Sequence, residues 1–264
     1  MDKSFYVTLS SNVDSNIFPD NALTHFFNKL PYTVDLSDDD WEVGLAEIQF
    51  PFNWHNVQRG EIYMTLETER RDFTPGLDGE IVRDMETAKL HAGHYATPQT
   101  LVEYLNKMMS IIAVPSLQNT VTFRYLEANR RISIRKKENV TIKMSPKLLR
   151  ILGFRNYDPY IVTHNARGDE EVDVSDGLHH LFVYTNAAEY RIVGHSLLPL
   201  LRIVPVDDVK PGANKVVKFE NVHYIPARRQ LFEALEINIT STTGQPIPFE
   251  RGQVLVTLHF RRSS

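Results

Sequence analysis

Cysteine is absent from the 264 residues, so no disulfide can tie this fold together and no thiolate can hold a metal. A chain without such staples suits a reducing compartment, and the nucleus or cytosol is the expected setting. Tryptophan is scarce, at two residues, and the 12 glycines form no Gly-rich loop opening a helix, the pattern that cradles phosphates. Neither sign of charge prevails: 29 Lys and Arg against 33 Asp and Glu leave a net charge of -4, so any contact with nucleic acid or an acidic membrane has to be local. Long apolar runs are missing as well. The most apolar stretch, HSLLPLLRIVPV from His195, carries Arg202 and falls well short of the roughly 20 residues a spanning helix needs. The opening MDKSFYVTLSS lacks the apolar stretch of a signal peptide, and no membrane span is expected.

What the chain does have is 14 Phe, 11 Tyr and 42% hydrophobic residues, enough for a sizeable core. Phe5, Val7 and Leu9 alternate with Tyr6 and Thr8, a half-buried strand. In WEVGLAEIQF, Trp41, Val43 and Leu45 share one parity while Ile48 and Phe50 take the other, which predicts a one-residue bulge near Ala46. Further strands are expected at Ile62 to Leu66 and at residues 80–90. Thr97 before Pro98 then reads as a helix N-cap, followed by Leu101, Leu105, Met108 and Ile112 at helical spacing. Val121 to Tyr125, Ile132 to Ile134 and Val140 to Met144 read as a three-stranded meander. Ser145-Pro146 opens a short helix that Gly153 closes. From about residue 178 strands return, with Leu235, Ile237 and Ile239 giving the cleanest alternation.

The expected fold is mainly β: a single jelly-roll antiparallel sandwich of residues 1–90 and 176–264, with an inserted α+β module at 91–175. The acidic stretches LSDDDWE and RGDEEVDVSD read as loops, the second marking where the insertion rejoins the sandwich.

Chemistry is sparse. His91 and His94, or His179 and His180, invite a metal, but zinc needs three or four ligands at one point, and adjacent strand residues face opposite ways. Around Ser196 the second glycine of a nucleophile elbow is missing. Neither an enzyme nor a cofactor is expected. Arg131, Arg135 and Lys137 share one strand parity, and Arg124 and Lys143 extend that basic face if the three strands pair as a meander. The plainer reading of this face is a solvated sheet surface; the sharper one is a phosphate contact. Arg228, Arg229, Arg261 and Arg262 suggest a second local basic site. At the end of the chain Val254, Val256, Leu258 and Phe260 point one way, and Leu255, Thr257, His259 and Arg261 form a second face that is only half polar.

Four stretches carry a likeness: FYVTLSSNVDSNIFPDNALTHFFNKLP, WEVGLAEIQFPFNWHN, LLRILGF and RRQLFEALEINITSTTGQPIPFERGQVLVTLHFRR. In order and spacing they resemble the minor capsid, or penton, proteins of Polinton (Maverick) elements and adintoviruses. The resemblance implies a single jelly roll forming homopentamers at the fivefold vertices of an icosahedral capsid, beside a double jelly-roll major capsid protein. It implies a virion protein made in the host cytosol, assembling there or in the nucleus, without enzyme activity. With the basic face read from its residues as a solvated surface, contact with packaged DNA is not expected. In such a fold the first and last strands pair. Tyr6, Thr8, Leu255 and Thr257, on the outer faces of those strands, are then the expected subunit contact. The alternative is a non-enzymatic jelly-roll module that binds carbohydrate or nucleic acid.

Overall fold

The computed structural model describes residues 4–13, 16–37, 40–73, 79–155, 161–162, 165–206 and 212–263, so Asp38 and Asp39 of the first acidic loop lie outside the described residues. The chain divides into two compact units, residues 1–54 with 178–264 and residues 55–177. The first unit begins with β1 (Ser4–Ser10), β2 (His25–Asp35) and β3 (Trp41–Pro51). The second supplies β4 (Tyr63–Asp72), β5 (Glu80–Lys89), α1 (Pro98–Ser110), β6 (Val121–Leu126), β7 (Arg131–Lys136) and β8 (Val140–Met144). It continues with α2 (Pro146–Ile151), β9 (Ile161–Val162) and β10 (Ala166–Arg167). The first unit resumes with β11 (His180–Thr185), β12 (Arg191–Val193), β13 (Ser196–Leu198) and β14 (Leu200–Pro205). It ends with β15 (Asn214–Lys218), β16 (Tyr224–Pro226), β17 (Leu231–Thr240) and β18 (Leu255–Arg262).

Strand pairing in the first unit is nested. β1 pairs β18, β2 pairs β17, β3 pairs β15 and β16, and β11 pairs β14, all antiparallel. Nesting of this kind is a long hairpin rolled up, the jelly roll, and it yields the sheets β1-β18-β3-β15 and β14-β11-β17-β2. Between them lie Phe26, Leu45, Ile48, Phe50, Leu181, Ile237, Val256 and Phe260, all essentially inaccessible to water. The parity break in β3 is the expected bulge. Leu258 faces Leu45 and Thr257 faces Glu47, which leaves Ala46 as the extra residue, so Leu45 and Ile48 both reach the core. Trp41 and Trp54 are both buried in this core.

In the second unit α1 starts as read, with the Thr97 Oγ1 accepting the N–H of Thr100 at 3.1 Å. Asn106 on α1 clamps β6: it accepts the N–H of Phe123 at 2.8 Å and donates to the Phe123 carbonyl at 2.9 Å. Leu105, Phe123, Ile132, Ile134, Met64, Leu66, Ile142 and Phe154 fill the core.

Two sequence expectations change here. The meander does not form. β6 and β7 pair, but β8 pairs β4 and β9, and the free edge of β7 is taken by β10, giving the sheets β10-β7-β6 and β5-β4-β8-β9. Joining β4 brings Ile142 and Met144 opposite Leu66 and Met64, so all four are buried. For the same reason the division between units falls at Trp54/His55 and at Gly177/Leu178 rather than at 90/91 and 175/176: β4 and β5 belong with β8.

Gly153, just past α2, has φ +78°, and a Cβ there would overlap the Glu170 carbonyl oxygen and sit 2.9 Å from the carbonyl carbon. A side chain in this left-handed conformation costs about 1–2 kcal/mol before any clash with fixed backbone. Gly153→Ala is therefore expected to destabilise the second unit by more than about 2 kcal/mol, read from thermal unfolding by far-UV circular dichroism. An unchanged midpoint would show that the Glu170 segment yields freely.

Candidate assembly interface

The outer face of the sheet β1-β18-β3-β15 can be laid out row by row from its register. Ser10, Leu255, Gln49 and Val216 form one row, and Thr8, Thr257, Glu47 and Lys218 the next. Past the Ala46 bulge come Tyr6, His259, Gly44 and Tyr224, then Ser4, Arg261, Glu42 and Pro226. Tyr6, Thr8, Leu255 and Thr257 are therefore neighbours on one surface, as expected from strand parity. Thr8 and Thr257 share a hydroxyl hydrogen bond of 3.2 Å.

The sheet also recruits residues that alternation alone does not single out. Tyr6, 64% exposed, lies flat on His259, with ring centroids 4.1 Å apart and 9° between planes. Tyr224 holds the same imidazole through its hydroxyl, 2.6 Å from Nδ1. The Arg261 guanidinium stacks 3.6 Å above the Tyr224 ring and binds Glu42 at 2.8 Å. Val216 adds an exposed aliphatic side chain at the far edge. Nothing in the KVVKFE stretch decides whether Val216 or Val217 faces outward; its pairing with β3 does, and Val217 packs toward the core.

Burial, and secondarily the Arg261 charge, hold His259 below the usual imidazole range. Burial above all raises the Tyr224 phenol, which keeps its proton to donate to the neutral imidazole. His259 Nε2 is buried without a hydrogen-bond partner among the described residues. A depressed histidine destabilises the fold when it must charge: the unfolded chain takes up the proton near pH 6.5, the folded one only at lower pH. The stability tied to His259 is thus fully present above about pH 6.5 and declines as pH falls from there toward the folded pKa. The unfolding free energy is expected to drop between pH 7 and 5, and less steeply in His259→Gln; parallel pH profiles would contradict the assignment.

The remaining expected site residues are scattered. Lys143, on β8, binds Glu67 at 2.6 Å in a different sheet from Arg124, Arg131 and Arg135, because the meander does not form. Lys137 lies beyond the end of β7. The second basic group is engaged locally: Arg229 with Asp40, Arg261 with Glu42, Arg262 over Trp41 and Arg228 over Tyr190. His91 hydrogen-bonds the Tyr104 hydroxyl. Among the described residues no three His, Asp or Glu side chains are grouped to hold a metal ion, and no helix is long and apolar enough to cross a membrane.

Nested pairing, an outer face with exposed tyrosine, and a second unit inserted after β3 define a single jelly roll carrying an extra domain. The chain is similar in fold to the mavirus penton protein, with a TM-score of 0.54 at 9% identity over 99% of this chain and 100% of that one. A chain of the Sputnik virophage particle aligns with a TM-score of 0.48 at 10% identity, covering 99% of this chain and 98% of that one. No family model and no curated protein matches the sequence.

Proposed function

We propose that this chain is a minor capsid protein of the Polinton and adintovirus kind, a penton subunit that forms homopentamers at icosahedral vertices beside a double jelly-roll major capsid protein. The observation that carries the reading is the end-to-end likeness of fold to the mavirus penton protein. The role is structural: the protein acts in the virion through contact surfaces and does no chemistry.

A ring closes only through heterologous contacts, in which one patch meets a different one. The first patch is the outer face around Tyr6, Thr8, Leu255, Thr257 and Val216. Four strands about 4.8 Å apart and four rows about 7 Å apart give it roughly 400 Å², half of the about 800 Å² per partner in a standard interface. Loops must supply the rest. The complementary patch is the hairpin β12–β13, whose strands pair only with each other among the described residues and which, with Tyr190 just before it, presents Ile192, Leu197 and Tyr190 at 80%, 64% and 58% exposure. An isolated two-stranded hairpin is marginal in water, so covering its apolar face stabilises both partners.

Both tryptophans are buried, so an aromatic platform for carbohydrate would have to rest on exposed tyrosines such as Tyr6, which the proposed subunit contact covers. Coexpression with a double jelly-roll major capsid protein from the same source, followed by electron cryomicroscopy of the particles, tests the proposal. Density for the chain at the fivefold vertices is expected; particles whose vertices lack it would overturn the reading.

A further inference from the structure

The sheet β10-β7-β6 carries a charge pattern that no single strand shows. Ser133 on β7 pairs with Arg124 on β6 and with Arg167 on β10, so those arginines flank it on the same face. Arg131 and Arg135 stand two residues to either side of Ser133 along β7, again on that face, while Ile132 and Ile134 point into the core. Four guanidiniums thus form a cross around one hydroxyl. Arg124 and Arg167 are about 10 Å apart across the strands, and Arg131 and Arg135 about 13 Å apart along one.

None of the four makes an ion pair among the described residues. The carboxylates that follow Arg167 are committed elsewhere: Asp169 accepts the Arg155 backbone N–H at 3.0 Å, Glu170 binds the Arg155 guanidinium at 2.9 Å, and Glu171 binds Arg130 at 3.4 Å. Lys143 is neutralised on the neighbouring sheet by Glu67. Arg167 is the member hidden from sequence reading, since a two-residue strand 34 positions from Ser133 has no periodicity of its own.

We propose that this face is a sequence-independent contact for the phosphate backbone of nucleic acid. A single phosphate cannot span the cross, whereas a chain of phosphates meets several of its arms at once. Arginine forks and a serine hydroxyl are the groups that bind phosphate oxygens. Among the described residues the exposed large apolar side chains lie outside this face, which there shows none of the aromatic and aliphatic anchors of a protein interface. The attraction is local, because the whole chain is net negative. Arg167 is the residue that the expectation of no contact with packaged DNA leaves out, and the contact stands independently of the capsid reading.

Fluorescence anisotropy with the full-length protein and a 20-base-pair DNA duplex, titrated between 50 and 200 mM NaCl, tests it. Three to four phosphate contacts predict a log–log salt slope of about -3. Arg124→Gln with Arg167→Gln should flatten the slope by about 2 and weaken binding at least tenfold at 50 mM salt, while Lys143→Gln should leave both unchanged. Because all substituted side chains lie on the sheet surface, circular dichroism should be unaltered; the single Arg167→Gln, flattening the slope by about 1, guards against misfolding of the double variant. A wild-type protein that does not bind the duplex, a double variant that binds as well as wild type, or capture of heparin without capture of DNA would each overturn the proposal.

Discussion

Leu255→Glu combined with Thr257→Glu is expected to convert the proposed ring into a folded single chain. Both side chains are half-buried on the outer face of β18, while their neighbours Val256 and Leu258 are inaccessible in the core. The fold tolerates the change, because a glutamate replacing Thr257 would face Glu47 across the strands, a like-charge pair worth only about 0.2–1 kcal/mol. A subunit contact does not, because leaving a charge unpaired in a buried interface costs on the order of 3–5 kcal/mol. At about 1.4 kcal/mol per tenfold in affinity, even one such charge weakens each contact more than a hundredfold. Light scattering behind a sizing column reads the result.

Ile192→Glu with Leu197→Glu should likewise give monomers. In a heterologous ring each double variant keeps the patch that the other lacks. Mixing the two monomers should therefore yield a one-to-one dimer and nothing larger. Retention of the ring by either variant would place the contact elsewhere, and monomers that stay monomeric on mixing would break the pairing of these two patches.

The second large effect concerns the strand that closes the sandwich. Phe260 is 1% exposed and stacks on Phe5 with ring centroids 4.9 Å apart. Its strand pairs β1 on one side and β3 on the other, so a cavity there loosens two ladders at once. Phe260→Ala is expected to cost about 3–5 kcal/mol, a large part of the roughly 5–15 kcal/mol that a domain possesses. Trp41 and Trp54 both belong to the first unit, so tryptophan fluorescence during urea unfolding follows the sandwich alone. Measured in the monomeric Leu255→Glu, Thr257→Glu background, the shift is free of any contribution from assembly. A shift below about 1 kcal/mol would mean that neighbouring side chains close over the gap.

Strand parity makes much of this legible in advance. The break between Leu45 and Ile48 announces the bulge at Ala46, and the alternation in the last strand separates Phe260 from Leu255. The Thr97 and Ser145 caps fix where both helices start, since an orphan N–H and a β-region residue before proline are local requirements. What stays hidden is non-local. Alternation tells which face a residue takes but not which strand lies beside it. Sequence order therefore puts β8 beside β7 when it belongs with β4, and it groups Lys143 with arginines from another sheet. Arg167, Tyr224 and Val216 acquire their places only through pairing partners more than 30 residues away. The boundary at residue 54 escapes for the same cause: β4 and β5 alternate like sandwich strands, and only their ladder with β8 assigns them to the second unit.

The central claim is that five copies of this chain close a ring through unlike patches, and the native mass of the purified protein tests it most directly. A single species at five times the 30.4 kDa chain mass is the predicted result. A dimer built on one self-complementary patch, at twice that mass, would contradict it.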